Sequence, residues 1–181
     1  MSSSSQTHFL PILTILFLSL NAFSPPLVSA DKKLVVKVCN DDAIEDRLEC
    51  IKTLSDAKAM AAKNVNQLVG VAMKEGAAKA KKTLNFIEEM MKKPNSPAAL
   101  TALKTCAKVY RYCIDEFKTV APELAEDAMT ANYDIALISP EVENCVKALH
   151  AAKLFEPELM KGNHELFYYA SLGYGMTVKL S

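Results

Sequence analysis

The pattern that most restricts the fold of this chain is a heptad repeat between residues 99 and 120. Mostly apolar residues recur there in alternating steps of four and three, at Ala99, Leu103, Cys106, Tyr110, Cys113, Phe117 and Val120. Such spacing over three heptads is typical of a helix that packs along a bundle seam. At 1.5 Å per residue, the Cα atoms of Cys106 and Cys113 would lie about 10.5 Å apart. A disulfide allows at most about 6.8 Å, so these two cysteines cannot pair while the helix is intact.

The other cysteines limit how this helix is tied to the rest of the chain. The sequence has five cysteines, and Cys39 and Cys50 are near neighbours in a segment that a polar turn interrupts. Two short helical turns joined by a Cys39–Cys50 disulfide would fit this segment. Cys145 can then bond with either Cys106 or Cys113 and tie two helices together, which leaves one cysteine over.

The amino-terminal segment predicts export. Residues 1–30 contain no Lys, Arg, Asp or Glu, and a nearly unbroken apolar run extends from Phe9 to Leu20. That run is shorter than the roughly 20 residues of a transmembrane helix, and the ending Val28-Ser29-Ala30 is of the small-x-small kind that signal peptidase accepts. We therefore predict a signal peptide over residues 1–30 and one domain over residues 31–181, with no membrane attachment after cleavage. Cysteines of exported chains are usually disulfide-bonded.

Helical periodicity extends over much of the predicted domain. From about Asp56 to Met91, apolar residues recur mostly at steps of three and four, which predicts one amphipathic helix. Ser96 and Pro97 then supply an N-cap and a proline at the first position of the heptad helix. Strand-like alternation of useful length is absent from the sequence after residue 30, so the pattern predicts an all-α fold.

The second half of the chain has two further helical patterns. One follows Asn132, while Gly162 and Asn163 predict a helix stop and the N-cap of the last helix. Pro122 either ends or kinks the heptad helix, and Pro140 interrupts the pattern that follows Asn132.

Charge and motif content exclude several classes of function. Lys plus Arg equals Asp plus Glu at 21 each, so no basic field for nucleic acid is expected. Only His150 and His164 follow residue 30, and the sequence has no zinc-protease, nucleophile-elbow or phosphate-binding glycine motif. We therefore expect neither an enzyme nor a cofactor or metal site. The carboxylates Glu123, Glu126 and Asp127 are interpreted as solvated helix surface.

The order of the cysteines, and a predicted helix that contains a leucine, a cysteine and a tyrosine at characteristic positions, resemble those of one known family. The residues that carry the resemblance are Cys39, Cys50, Leu103, Cys106, Tyr110, Tyr133, Asp134, Ile135, Ala136 and Cys145. In these features, and over Leu34 to Leu180, the chain resembles the plant invertase and pectin methylesterase inhibitor family.

This resemblance implies a fold and a set of disulfides. The implied fold is an up-down-up-down four-helix bundle with an N-terminal disulfide-bonded helical hairpin. The implied pairs are Cys39–Cys50 and Cys106–Cys145, with Cys113 free. The position of Cys113 on the core face of the heptad favours a buried thiol over a reactive one. In this implied fold, Pro122 and Pro140 lie inside long helices or at their edges.

The resemblance also implies a function, a non-covalent protein inhibitor of a plant cell-wall carbohydrate-active enzyme. Some invertase inhibitors of the family have a Pro-Lys-Phe motif that enters the active site of the target. The matching region here contains Pro122-Glu123-Leu124 and Asn132-Tyr133-Asp134, without the Lys or the Phe. Pectin methylesterase is therefore favoured as the target, and invertase is the alternative. The place of the motif implies Asn132, Tyr133 and Asp134 as target contacts.

The implied partner and location complete the hypothesis. The resemblance implies a monomer that binds its target enzyme one to one, in the cell wall or alternatively in the vacuole. Two rival functions remain open at this point. The chain could carry a small ligand or lipid between its helices, or it could retain the scaffold of the family without its inhibition, because a fold does not determine a function.

Overall fold

A computed structural model describes residues 31–180 of the chain, so the predicted signal peptide lies outside the described residues. All regular secondary structure within residues 31–180 is helical, which confirms the all-α prediction. The helices are α1 Asp31–Cys39, α2 Arg47–Thr53, α3 Ala57–Met60, α4 Val65–Met91, α5 Pro97–Glu126, α6 Ala128–Ala151 and α7 Pro157–Thr177. Over this range, no helix combines the length and the apolar character that a membrane crossing requires.

The four long helices form the predicted bundle. Helix α4 packs on α5, α5 on α6 and α6 on α7, and α7 returns to α4. Short connections between successive helices produce the up-down-up-down order. All seven heptad residues are buried, because they form the stripe that α5 turns towards the core.

The boundaries of α5 agree with the local sequence signals. Ser96 Oγ accepts a hydrogen bond from the backbone N–H of Ala99 at 3.2 Å, and Pro97 is the first residue of the helix. Pro122 lies inside α5 and Pro140 inside α6, as the family resemblance implied. Neither proline ends its helix.

The predicted start of the first long helix, near Asp56, is wrong. Asp56 instead caps the short helix α3, where its Oδ1 accepts from the N–H of Ala59 at 2.7 Å. The long helix α4 begins at Val65, nine residues beyond Asp56, because Asn64 Oδ1 accepts from the N–H of Gln67 at 2.9 Å. Two caps in close succession therefore divide a stretch that periodicity alone merges into one helix.

The predicted break at Gly162 and Asn163 is also wrong. Helix α7 runs without interruption through both residues, and both are buried. Gly162 faces Thr83 of α4, and Asn163 Oδ1 accepts a hydrogen bond from Tyr110 Oη of α5 at 3.0 Å. These two residues have interhelical roles, and their short-range preference for helix ends does not apply.

The N-terminal hairpin of α1 and α2 is closed by the Cys39–Cys50 disulfide, whose Cα atoms lie 5.7 Å apart. Three side-chain hydrogen bonds fasten this hairpin and its turn to the C-terminal part of the chain. They run from Tyr168 Oη to Thr53 Oγ1 at 2.9 Å, from Ser171 Oγ to Glu45 Oε2 at 3.0 Å, and from Lys179 Nζ to Asp41 Oδ2 at 2.7 Å. The hairpin therefore docks on α7 and leaves the α5–α6 side of the bundle uncovered.

Candidate functional site

Helices α5 and α6 are joined covalently at one end. Cys106 of α5 is bonded to Cys145 of α6, and their Cα atoms lie 4.5 Å apart. Cys113 is unpaired and fully buried. Burial, with the nearby charge of Glu141 as the second cause, raises the pKa of the Cys113 thiol to about 12. Because the thiolate is the nucleophilic form, this cysteine contributes packing and not reactivity.

The other end of the same helix pair is fixed by one residue. Asp127 is the C-cap of α5 and also the N-cap of α6, so no loop separates these helices. Its Oδ1 accepts from the N–H groups of Met129 at 2.9 Å and Thr130 at 3.3 Å, and its Oδ2 accepts from Thr130 Oγ1 at 2.8 Å. These hydrogen bonds, that of the Thr130 side chain first, hold the pKa of Asp127 below its usual value of 3.8. The start of α6 at Ala128 also corrects the prediction that this helix follows Asn132.

An exposed pair of large side chains lies just beyond this cap. Met129 is 69% exposed and Tyr133 is 63% exposed. They are four residues apart on α6 and therefore project from the same side of the helix. We call the outer surface of helices α5 and α6 that includes this pair, together with the polar residues along the boundary of the two helices, the α5–α6 face. Its residues are Tyr112, Glu116, Glu123, Met129, Tyr133 and Asp134.

The polar part of the α5–α6 face is a group of mutually repelling carboxylates. Desolvation raises the pKa of Glu116, and the charges of Asp134 and Glu123 raise it further. The pKa of Glu123 is also raised, with desolvation as the first cause and the charge of Asp134 as the second. The Oε2 atom of Glu123 is buried without a hydrogen-bond partner in the described chain. Burial, with Glu116 as the second cause, raises the pKa of Tyr112 to about 12. The face thus carries concentrated negative charge that a cationic surface on a partner would neutralise.

The three residues predicted as target contacts point in different directions. Asn132 is held against α7, because its Nδ2 donates to Thr177 Oγ1 at 2.9 Å and to the carbonyl of Tyr174 at 3.4 Å. Asp134 is half-buried and faces the carboxylates of α5. Only Tyr133 of the three projects into solvent. A target contact by Tyr133 remains a prediction, while the geometry gives Asn132 an internal role.

Sequence reasoning missed part of this face. The interpretation of Glu123 as solvated surface is wrong, since the side chain is half-buried and one of its oxygens is enclosed. A signal for it exists in the sequence. Polar residues of α5 recur in steps of four, three and four, at Tyr112, Glu116, Thr119 and Glu123. Each of the first three directly precedes a residue of the heptad, and the fourth directly precedes Leu124. A polar stripe directly beside a core stripe lies at a helix–helix boundary, where side chains are partly desolvated.

The carboxylates predict how stability depends on pH. Glu116 and Glu123 have raised pKa values in the folded chain, so the folded state binds more protons than the unfolded state between those values and the ordinary 4.5. The free energy of unfolding should therefore increase as the pH falls through these raised pKa values towards 4.5. Asp41 and Asp127 have lowered pKa values and oppose this trend only below about 3.8.

Urea unfolding at several pH values measures this dependence. Glu123→Gln should flatten the curve and stabilise the chain at neutral pH, because glutamine removes a repelled charge at similar size. The matched control is Glu143→Gln, which changes an exposed carboxylate outside the face. Equal pH dependence of the wild type and Glu123→Gln would contradict the assignment.

Residues 31–180 contain no group of three His, Cys, Asp or Glu side chains placed to hold a metal ion. The α5–α6 face has the composition of a contact surface. It combines an aromatic ring, a flexible thioether and partly desolvated charge on a framework that is fixed at both ends.

Comparisons with known proteins point to one group. The sequence profile of the family described as plant invertase/pectin methylesterase inhibitor matches residues 33–165. A solved structure of mutant form A of a pectin methylesterase inhibitor from Arabidopsis is similar, with a TM-score of 0.69 at 16% identity, over 84% of this chain and 99% of that one. A pectin methylesterase inhibitor from Arabidopsis thaliana gives a TM-score of 0.61 at 16% identity, over 81% of this chain and 95% of that one. No curated protein matches the chain.

Proposed function

Because the chain belongs to the plant invertase/pectin methylesterase inhibitor family, we propose that it is a secreted, non-covalent inhibitor of a plant pectin methylesterase. Members of this family are inhibitors and not enzymes. The chain is accordingly a protein inhibitor of pectin methylesterase or invertase type. The proposal adds the particular target, the binding surface and the place of action.

The main support for the proposed binding surface is the exposure of Tyr133 on the α5–α6 face. Tyrosine is among the residues that most often dominate the energy of an interface, and Met129 beside it can adapt to an irregular partner surface. The Cys106–Cys145 bond and the Asp127 cap hold the supporting helices in place before contact. A binding surface that is already ordered loses less entropy on association.

Two observations favour pectin methylesterase over invertase. Two solved structures with a similar fold are both pectin methylesterase inhibitors. The motif that some invertase inhibitors insert into their target has no counterpart at Pro122-Glu123-Leu124 or at Asn132-Tyr133-Asp134. Invertase nevertheless belongs in the test, because the family includes inhibitors of both enzymes.

The proposal also covers processing, location and stoichiometry. Residues 1–30 act as a signal peptide, and residues 31–181 are released as a monomeric domain that acts in the cell wall. One domain presents one α5–α6 face, so it binds one enzyme molecule. The mass of protein recovered from the medium of a secreting host would show whether cleavage follows Ala30.

An enzyme assay tests the function directly. Protein with both disulfides formed is titrated against pectin methylesterase and acid invertase in parallel, at mildly acidic pH. We expect inhibition of pectin methylesterase that saturates at one inhibitor per enzyme. Inhibition of invertase alone would transfer the proposal to that target. Failure to inhibit either enzyme, with the helical circular dichroism intact, would refute the inhibitory function.

Tyr133→Ala is expected to weaken pectin methylesterase inhibition by about 30-fold. Truncating a central interface tyrosine typically removes about 2 kcal/mol of binding free energy, which corresponds to that factor. The control is Phe155→Ala, because Phe155 is also 63% exposed. It follows α6, whose last residue, Ala151, lies about 27 Å from Tyr133 along the helix axis. Inhibition constants of both variants give the comparison, and equal losses would remove the α5–α6 face from the proposal.

A further inference from the structure

A second feature of the bundle lies between α4 and α5, away from the α5–α6 face. It is a groove of about 600 Å³ between the two helices. Ile114 and Phe117 of α5 form its floor, with only 6% and 1% of their surfaces exposed. Small residues line the remainder of the groove and leave it open, because larger side chains at these positions would fill it. These residues include Gly70, Ala78 and Ala121.

The rim of this α4–α5 groove is basic. Lys74 and Lys81 stand two helical turns apart on α4, and Lys118 stands on α5. None of the described residues that line the groove has a carboxylate. Within the described range 31–180, Lys74 and Lys81 have no ion-pair partner, and Lys118 has only the exposed Asp115 at 3.7 Å. The positive charge beside the apolar floor is therefore largely uncompensated.

The shape of the groove suits a narrow ligand better than a protein. Protein interfaces are anchored by large side chains that fill pockets. The large hydrophobic residues that are exposed in the described chain all lie elsewhere, at Leu48, Met129, Tyr133, Val146, Phe155, Met160, Tyr174 and Leu180. The stretch from Gly70 to Lys81 offers about 16 Å of trough. Its volume falls in the usual range of about 300–1,000 Å³ for small-molecule sites, which are largely apolar with a few polar groups.

We propose that the α4–α5 groove binds a long-chain monocarboxylate, that is, a free fatty acid. The acyl chain lies over Ile114 and Phe117 and between the small residues of the groove, where its own apolar surface leaves water. The carboxylate lies at the basic rim that Lys74, Lys81 and Lys118 form. This binding site is separate from the proposed inhibition, because none of its residues belongs to the α5–α6 face.

The test uses protein purified from a secreting host and dodecanoate below its micelle concentration. Calorimetric titration should show saturable binding of one dodecanoate per chain, with dodecanol binding at least tenfold more weakly. In ¹⁵N spectra, the amide signals of Gly70, Ala78 and Ala121 should shift with the same saturation. Absence of saturable binding, or shifts confined to other residues, would overturn the proposal.

Two variants locate the site, and each has a matched control. Lys74→Gln/Lys81→Gln should weaken dodecanoate binding at least tenfold, whereas Lys104→Gln/Lys108→Gln, which changes two exposed lysines outside the groove, should not. Ala78→Leu should fill the trough and abolish binding, whereas Ala151→Leu at another exposed alanine should leave it unchanged. Thermal melts verify that each variant is folded. Undiminished binding by folded Ala78→Leu, or preferential binding of an acidic amphipathic peptide, would contradict a fatty-acid groove.

Discussion

Replacing both Cys106 and Cys145 by alanine is expected to lower the free energy of unfolding by about 4 kcal/mol. The bond joins residues 39 positions apart, so breaking it restores much conformational freedom to the unfolded chain. Both cysteines are fully buried, and the smaller alanine side chains also remove some packing from the core. Urea unfolding of the oxidised wild type and the variant measures the difference.

The Cys39–Cys50 bond provides the internal comparison for this prediction. It joins residues only 11 positions apart, and the same relation gives a smaller effect of about 3 kcal/mol for Cys39→Ala/Cys50→Ala. Cys113→Ala controls for the loss of a buried sulfur, since that residue is unpaired and fully buried. If Cys106→Ala/Cys145→Ala destabilised the chain no more than Cys113→Ala, the bond would have no net stabilising effect.

Gly162→Ala is expected to destabilise the chain by about 2 kcal/mol, although alanine is the better helix former. A Cβ atom at position 162 would lie 2.5 Å from Thr83 Cγ2 and 2.7 Å from Tyr110 Oη. Helices α4, α5 and α7 meet at this point, so the new methyl group must separate them. Separation also threatens the buried hydrogen bond from Tyr110 to Asn163, worth about 1 kcal/mol.

Gly70→Ala is the matched control and should have the opposite sign. A Cβ atom at position 70 meets only Ala121 Cβ at 3.5 Å, which is ordinary van der Waals contact. Without a steric penalty, the helix preference of alanine should stabilise α4 by about 0.5–1 kcal/mol. Thermal and urea unfolding of both variants, made in the same background, give the two signs. Equal effects of the two substitutions would mean that close packing at Gly162 is not the cause.

These glycines illustrate what the sequence could and could not predict. The heptad of α5 was predictable residue by residue, because a periodic stripe directly reflects burial against neighbouring helices. The break expected at Gly162 and Asn163 was not a break, because both residues are selected by contacts with Thr83 and Tyr110 that are distant in sequence. The helix propensities of single residues do not reflect such contacts, and tertiary packing overrides them.

The α5–α6 face was predictable only in part, for a related reason. The place of a family motif indicated the short stretch from Asn132 to Asp134, and the structure separates these residues by direction. A helix turns by about 100° per residue, so three consecutive side chains point to α7, to solvent and to α5 in turn. The cluster of carboxylates is formed by residues of both α5 and α6. The sequence pattern of one helix does not give the rotation of that helix relative to its neighbour.

The helix pair that shares Asp127 is also a covalent ring, because the Cys106–Cys145 bond closes the chain around it. A protease that cut any single peptide bond between these two cysteines would nick the protein without releasing a fragment. The shared cap leaves no loop in which an extended substrate segment could form, so such a cut first requires a helix to unwind. A binding surface on this pair would accordingly outlast damage that removes an ordinary inhibitory loop.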